Sequence, residues 1–345
     1  MGKPVTVIRG DGIGPEVIGA AIKVLDSTGV ALTWEPAEAG AIANVKLGDA
    51  LPDETLRSIR RTRACLKGPL ETPIGFGYRS VTVRLRDELD LYANVRPVRS
   101  YADITGRVRA VDIVVVGENS EGEYAGVERY LDQDGDAAQC VSTTTRAASE
   151  RIVKLAFEHA ARARQRRVTL IHKANILKLT SGLFLQAGRE IAKHYHDIEF
   201  DEMIVDDVAP QLVMNPSRFS VIVTTNMFGD ILSDLAAGLV GELGLAPRMN
   251  VGASVAVFEP VHGTAPDIVG KGIANPTAAI LAGAMMLRHI GEGDAADRIE
   301  AAVRLVMEER KFVTPDLGGH ASAAEFTDRV AGVLRTARSA VTSSR

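Results

Sequence analysis

A chain of 345 residues is long enough for two domains, and 46% apolar with 24% charged residues is the balance of an ordinary soluble globular protein. The formal net charge of −4 and the pI near 6.0 give no electrostatic footprint for nucleic acid, and the one basic cluster, Arg162 to Arg167, reads as a solvated helix end. Two cysteines without metal-type spacing suit free thiols in a reducing compartment, no leader pattern opens the chain, and the longest apolar run, Ala278 to Leu287, is too short to span a bilayer, so a cytoplasmic protein without membrane contact is expected.

In chain order, Val5 to Ile8 reads as a short buried strand that turns through Gly10-Asp11-Gly12-Ile13-Gly14 into a helix from Pro15 to Leu25. The spacing is G-x-G-x-G-P, not the G-x-G-x-x-G of a dinucleotide-binding βαβ unit, and the acidic residue expected some twenty positions on is not clearly placed, so a plain strand-to-helix turn reads better than a Rossmann fingerprint. Lys67-Gly68-Pro69 ends a second strand, a loop runs from Glu71 to Gly77, and Ser80 can cap a helix from Val81 to Leu91. Along this segment stand Arg79, Arg84, Arg86, Arg96 and Arg99, which are either surface decoration or a carboxylate-binding set, because guanidinium holds carboxylates bidentately.

Val111 to Val116 is another buried strand, and Tyr124 follows it in the glycine-rich loop Gly117 to Gly126, either as a packed tyrosine or as a catalytic candidate. Ser142 to Thr145 reads as a strand end and Ala147 to Arg162 as a long helix. The strand Val168 to Ile171 delivers Lys173 and Asn175 to its carboxyl end, where α/β sheets bind ligands, and Phe200 to Val205 delivers Asp206 in the same way. Val221 to Thr225 is a strand, Asn226 to Asp230 a connection, and Ile231 to Val240 a helix. Asp230 and Asp234 lie four apart, hence on one helical face, either as a solvated acidic face or as ligands of a hard divalent cation. Ser254 to Phe258 is the next strand and is followed by the loop Glu259 to Ile268. Helices at Thr277 to Ile290, Ala295 to Met307 and Ala323 to Arg338 close the chain before a frayed tail. No low-complexity linker is visible, so a second domain must be interleaved with the first.

Four motifs coincide in this order: Gly10 to Glu16; Arg79-Ser80 through Tyr92-Ala93-Asn94-Val95-Arg96-Pro97; Glu118-Asn119-Ser120-Glu121-Gly122-Glu123-Tyr124; and Asn226 to Gly241 with His262-Gly263-Thr264-Ala265-Pro266-Asp267. Together they resemble the isocitrate and isopropylmalate dehydrogenase family of β-decarboxylating hydroxyacid dehydrogenases. The resemblance implies that family's α/β fold, which is not a Rossmann fold: two α/β/α domains, 1–99 plus 252–345 and 100–251, share a mixed sheet and hold the site in the cleft between them. It implies a homodimer with shared active sites, in which Asp230 and Asp234 with Asp206 of the partner bind Mg²⁺ or Mn²⁺. Lys173, also from the partner, would assist removal of the hydroxyl proton, and Tyr124 would protonate the enol left by decarboxylation. Ser80, Thr82, Arg84, Arg86, Arg96 and Asn175 would bind a small anionic hydroxyacid. Glu259, His262, Gly263, Thr264, Ala265, Asp267, Ile268 and Asn275 would bind the cofactor. The Asp267-Ile268 pair resembles the NAD-using branch, since a carboxylate repels a 2′-phosphate.

The sequence departs from the family pattern at Gly117, where a third substrate-binding arginine is usual, at Thr82, where isocitrate enzymes carry asparagine, and at Arg84, where a small residue is expected. These changes imply an isocitrate-like substrate with a different distal group, such as homoisocitrate, 3-isopropylmalate or a phosphonate analogue. Gly117 also keeps open a non-catalytic regulatory subunit, against which the intact Asp206, Asp230, Asp234, Lys173 and Tyr124 argue.

Overall fold

In a computed structural model, which describes residues 2–73, 77–101, 111–240 and 243–342, the chain folds into two compact units. One is drawn from Met1–Leu89, Tyr101–Arg109 and Gly241–Arg345, the other from Asp90–Ser100 and Ala110–Val240. Residues 74–76 of the loop expected at 71–77, Gly241 and residues 343–345 of the tail lie outside the described residues.

In the first unit, Lys3–Ile8 lies between two parallel neighbours, Leu32–Ala37 with Val5 opposite Trp34, and Ala64–Lys67 with Thr6 opposite Cys65. Ala256–Pro260 continues the parallel set, Phe258 opposite Leu66, and Pro247–Val251 closes it antiparallel, Arg248 opposite Glu259. Ala64–Lys67 and Ala256–Pro260, the inner parallel pair, are buried at every position rather than at alternate ones. On one face the helix Gly14–Ser27 opens with Pro15 in its first turn and buries Val17, Ile18, Ala21, Val24 and Leu25 at helical spacing. These side chains share one apolar core with Phe258, Ile280, Met286, Val303 and Phe326. On the other face the buried Thr6 hydroxyl meets Ser58 at 2.8 Å and Thr62 at 2.7 Å, so the polar atom the strand turns away from this core is satisfied. Phe326 is fully buried and remote from every candidate site residue in sequence. Phe326→Ala is therefore expected to cost about 3–5 kcal/mol, read as a lower urea midpoint at unchanged slope.

In the second unit, Ala93–Arg99 pairs antiparallel with Asp112–Glu118 along its whole length. Val221–Thr224, Arg167–His172 and Glu199–Ile204 then follow in parallel. A separate antiparallel pair, Glu128–Tyr130 with Ala138–Cys140, interrupts the chain between Tyr124 and the helix Arg146–Ala163.

Several boundaries differ from those read in the sequence. The units do not divide at 99 and 252. Ala93–Arg99 goes with its antiparallel partner Asp112–Glu118, and Pro247–Val251 goes with Ala256–Pro260. The helix expected from Ile231 begins at Asn226, directly after the strand Val221–Thr224. Asn226 and Gly229 read as breakers, but Gly229 is helical because its missing side chain is what lets this helix approach the neighbouring strand. A Cβ there would lie 3.3 Å from the Gly117 Cα. Ser142 to Thr145 is not a strand end, since the strand stops at Cys140 and Thr145 caps the helix. Cys65 is buried and Cys140 exposed, both free, and no helix among the described residues is long and apolar enough to cross a membrane.

Candidate active site

The candidate residues of the second unit form two groups. The first surrounds Arg96. Strand alternation puts Asn94 and Arg96 on one face of Ala93–Arg99, and the helix Asn226–Val240 lies against them. The Arg96 guanidinium, 8% exposed, forms an ion pair with Asp230 and reaches Asp234 Oδ1 at 3.3 Å. Its Nη1 donates to Ser233 Oγ at 2.6 Å and its Nε to Asn94 Oδ1 at 3.2 Å. One guanidinium therefore offsets the repulsion of two carboxylates a helical turn apart. Asp230 and Asp234 keep 31% and 59% side-chain exposure, so both retain oxygen lone pairs toward solvent. An all-oxygen pair with two negative charges fits a hard divalent cation. Among the described residues, no three acidic, histidine or cysteine side chains of this chain converge into a complete metal site.

The second group lies at neighbouring strand ends. Lys173 follows the strand Arg167–His172, and Asp206 stands in the first turn of the helix Val205–Met214, after the strand Glu199–Ile204. The two side chains are ion-paired, and the hydrogen bond from Lys173 holds the Asp206 carboxyl below the usual carboxylate range. His172 supports the turn: its Nδ1 accepts from Ala174 N at 3.0 Å, and burial lowers its pKa, which keeps the ring neutral and able to accept. Asn175 lies exposed in the same turn.

Tyr124 stands in the 3-10 turn Gly122–Ala125, 46% exposed. The turn is held by carboxylates. Glu118, buried, accepts from Ser120 N at 2.9 Å and Glu121 N at 2.8 Å, and Asn226 Nδ2 donates to the Glu121 carbonyl at 3.3 Å.

In the first unit, Ser80 caps the helix Val81–Glu88, its side chain accepting from Val83 N. Thr82, Arg84 and Arg86 are partly buried along that helix. Arg84 is not an open cation: Nη1 donates to Asp49 Oδ1 at 2.8 Å, which lowers the Asp49 pKa. Glu259 is likewise enclosed rather than presented as a ligand-facing carboxylate. It is 1% exposed, paired with Lys67, 2.9 Å from Arg248 Nε, and accepts from Asn250 Nδ2 at 2.7 Å. Burial acts to raise its pKa, but the Arg248 and Lys67 cations win and hold it well below the usual range.

The remaining cofactor candidates gather around the first glycine turn. Ile13 N donates to the Thr264 carbonyl at 3.0 Å, and Gly12, at φ +57°, leaves no room for a Cβ beside Thr264. Asp11 fastens this turn by accepting from Glu71 N at 2.9 Å and Ala41 N at 3.1 Å. Ala265 takes a left-handed conformation ahead of the 3-10 turn Pro266–Ile268, which leaves Asp267 exposed and Ile268 partly buried against the core. Asn275 donates to Asp316 at 2.8 Å and accepts from Thr277 N at 3.0 Å. His262 Nδ1 stands 3.0 Å from the carbonyl oxygen of the adjacent Gly263, while Nε2 is buried without a hydrogen-bond partner. Burial lowers the His262 pKa and keeps the ring neutral, so a buried polar atom awaits a partner beside an open Gly263. This fits a nucleoside with hydrogen-bonding ring nitrogens.

Sequence reasoning missed Ser233, Asn94, Asp49, Lys67 and Arg248. Ser233 and Asn94 were findable, one by helical spacing from Asp230 and the other by strand alternation from Arg96. The ion partners of Arg84 and Glu259 come from other elements and left no local signal.

A family model described as isocitrate/isopropylmalate dehydrogenase matches residues 4–330. The isocitrate/homoisocitrate dehydrogenase of Thermus thermophilus is 50% identical over 339 residues, covering 97% of this chain and 100% of the relative. The mitochondrial isocitrate dehydrogenase [NAD] subunit alpha of Bos taurus is 46% identical over 329 residues, covering 95% and 89%. The crystal structure of isocitrate dehydrogenase from Methylococcus capsulatus superposes with a TM-score of 0.92 at 56% identity, covering 97% of this chain and 100% of that one.

Proposed function

Because this chain belongs to the isocitrate/isopropylmalate dehydrogenase family, whose model spans residues 4–330, we propose that it oxidises an isocitrate-like (2R,3S)-2-hydroxyacid to a 2-oxoacid and carbon dioxide. Dehydrogenation is the family's chemistry; the substrate, NAD and Mg²⁺ or Mn²⁺ are this proposal's specifics. The observation that supports it is the meeting of Arg96 with Asp230 and Asp234, which sets a carboxylate-binding cation beside two cation-binding carboxylates.

Asp230 and Asp234, with Asp206 of a second copy, would hold the cation, and His262, Gly263, Asp267, Ile268 and Asn275 would hold NAD. Bound there, the nicotinamide would supply a hydride acceptor and the cation Lewis acidity at the C2 oxygen. Side chains of the two copies do the rest. Arg96 and Arg86 clamp carboxylates, Ser80 and Thr82 meet the distal group, and Asn175 lies alongside. Lys173 of the second copy takes the hydroxyl proton as hydride leaves C2. After carbon dioxide departs, the Tyr124 O–H delivers its proton to C3. The active unit is a cytoplasmic homodimer with shared sites.

Gly117 directs the substrate away from isocitrate itself and toward homoisocitrate, 3-isopropylmalate or a phosphonate analogue. A panel of these acids with NAD and Mg²⁺ tests the assignment. Metal-dependent NADH formation by the purified protein alone is expected, and its absence with every acid would establish a regulatory subunit instead. A Cβ at Gly117 would find only ordinary contacts, the Gly229 Cα at 3.8 Å and the Asn94 carbonyl at 4.0 Å, so a side chain can leave the strand there. Gly117→Arg should raise kcat/KM for isocitrate about 10- to 100-fold, the worth of one charge-assisted hydrogen bond. Unchanged discrimination across the panel would remove Gly117 from the specificity determinants.

A further inference from the structure

We propose that Glu121 is a positioning residue for the proton-donating tyrosine, its carboxylate tying the Tyr124 turn to the start of the helix Arg146–Ala163. The inference rests on reading Tyr124 as the acid that protonates C3. Glu121 stands three residues before Tyr124. Its Oε2 accepts from Thr145 N at 2.8 Å and its Oε1 from Thr145 Oγ1 at 2.6 Å. A second strap runs alongside, Gly122 N donating to the Thr143 carbonyl at 3.0 Å. Tyr124 is 46% exposed and is carried on a short 3-10 turn, so the turn's anchorage bears on where the phenol stands.

The Thr145 hydroxyl makes the anchor rigid. It caps its helix by accepting from Ala148 N at 3.2 Å, and a hydroxyl has a single proton, which it directs to Glu121 as a hydrogen bond. The carboxylate thereby fixes the rotor so that its lone pair faces the helix. A carboxylate at a helix start also suits the dipole, so Glu121 could serve stability alone. What points beyond stability is the remainder of the connection. The Glu121 carbonyl accepts from Asn226, the first residue of the helix that carries Asp230 and Asp234. Glu121 thus joins three elements, and its position sets the proton donor relative to the two carboxylates.

The test isolates the proton step. In the exchange direction the Tyr124 phenolate removes a C3 proton from the 2-oxoacid, the electron pair moves to the C2 oxygen as enolate, and a solvent deuteron returns through Tyr124 to C3, with nothing oxidised or reduced. Wild-type enzyme with Mg²⁺ and NADH in D₂O is given the 2-oxoacid that it forms from whichever acid of the panel it oxidises, and deuterium at C3 is followed by NMR. Tyr124→Phe should abolish exchange. Glu121→Ala should slow it about 10- to 100-fold with KM nearly unchanged, the effect of a displaced catalytic group. Glu121→Gln keeps an acceptor for Thr145 and should restore most of the rate. Absence of wild-type exchange, or exchange surviving Tyr124→Phe, overturns the acid assignment and the proposal with it. Exchange that needs Tyr124 but runs at the wild-type rate in Glu121→Ala, with only the melting temperature lowered, overturns the positioning role alone.

Discussion

Asp230→Asn is expected to lower kcat/KM about 10³-fold at saturating Mg²⁺, a loss of ~4 kcal/mol of transition-state stabilisation. The substitution is nearly isosteric and keeps one oxygen, so it removes charge rather than shape. Arg96 retains Ser233, Asn94 and Asp234 as partners and should hold its place. Asp230 is the more enclosed of the two carboxylates, at 31% against 59% side-chain exposure. Asp234→Asn, where water can better replace the lost ligand, should therefore cost less. Calorimetric titration of Mg²⁺ separates the causes: affinity should fall in both variants, more in Asp230→Asn. Activity within threefold of wild type and unchanged metal affinity would sink the metal assignment and return the two aspartates to a solvated helix face.

Lys173→Met should lower kcat about 10³-fold, within the usual worth of a positioned acid–base group. Lys173→Arg should not recover it, because a guanidinium does not give up its proton. The loss should fall on hydroxyl oxidation, while decarboxylation of the corresponding 3-carboxy-2-oxoacid survives. Tyr124→Phe should fail at the later proton delivery instead. A Lys173→Met enzyme equally slow in both half-reactions would contradict the division of labour.

A pH signature accompanies the change. Lys173 depresses the Asp206 pKa, so their pairing is in place above the ordinary carboxylate value and is lost as pH falls through the depressed one. NMR titration of the Asp206 carboxyl in the metal-free protein should find it below the ordinary aspartate range, and in Lys173→Met it should move up toward that range.

The contrast between Arg96 and Arg84 shows how far a sequence carries. Both sit among a run of arginines and have the same chemistry. The partners of Arg96 follow from two periodicities, strand alternation to Asn94 and helical spacing through Asp230, Ser233 and Asp234. What the periodicities lacked was that this strand and this helix touch: Gly229, whose Cβ would lie 3.3 Å from the Gly117 Cα, lets the helix lie close against the strand that pairs with that of Arg96. Arg84 looked equally ready for a ligand, yet Asp49, thirty-five residues earlier, holds it. Glu259, expected at the cofactor, is enclosed by Lys67, Arg248 and Asn250: the antiparallel register sets it opposite Arg248, and the parallel register that pairs Phe258 with Leu66 brings Lys67 alongside.

The early start of the helix Asn226–Val240 has the same origin. Local propensity marks Asn226 and Gly229 as breakers, and packing against a neighbouring strand overrides it. The amino-acid order alone therefore determined the α/β class, the buried strands read from apolar runs and the helical faces, and it nominated the candidate site residues, because each depends on spacing within about ten residues or on motif identity. Tertiary structure alone decided which charged groups are spent on one another and which stay open, and where one unit ends and the other begins. Those outcomes turn on contacts between residues remote in the chain, whose energies no local pattern encodes.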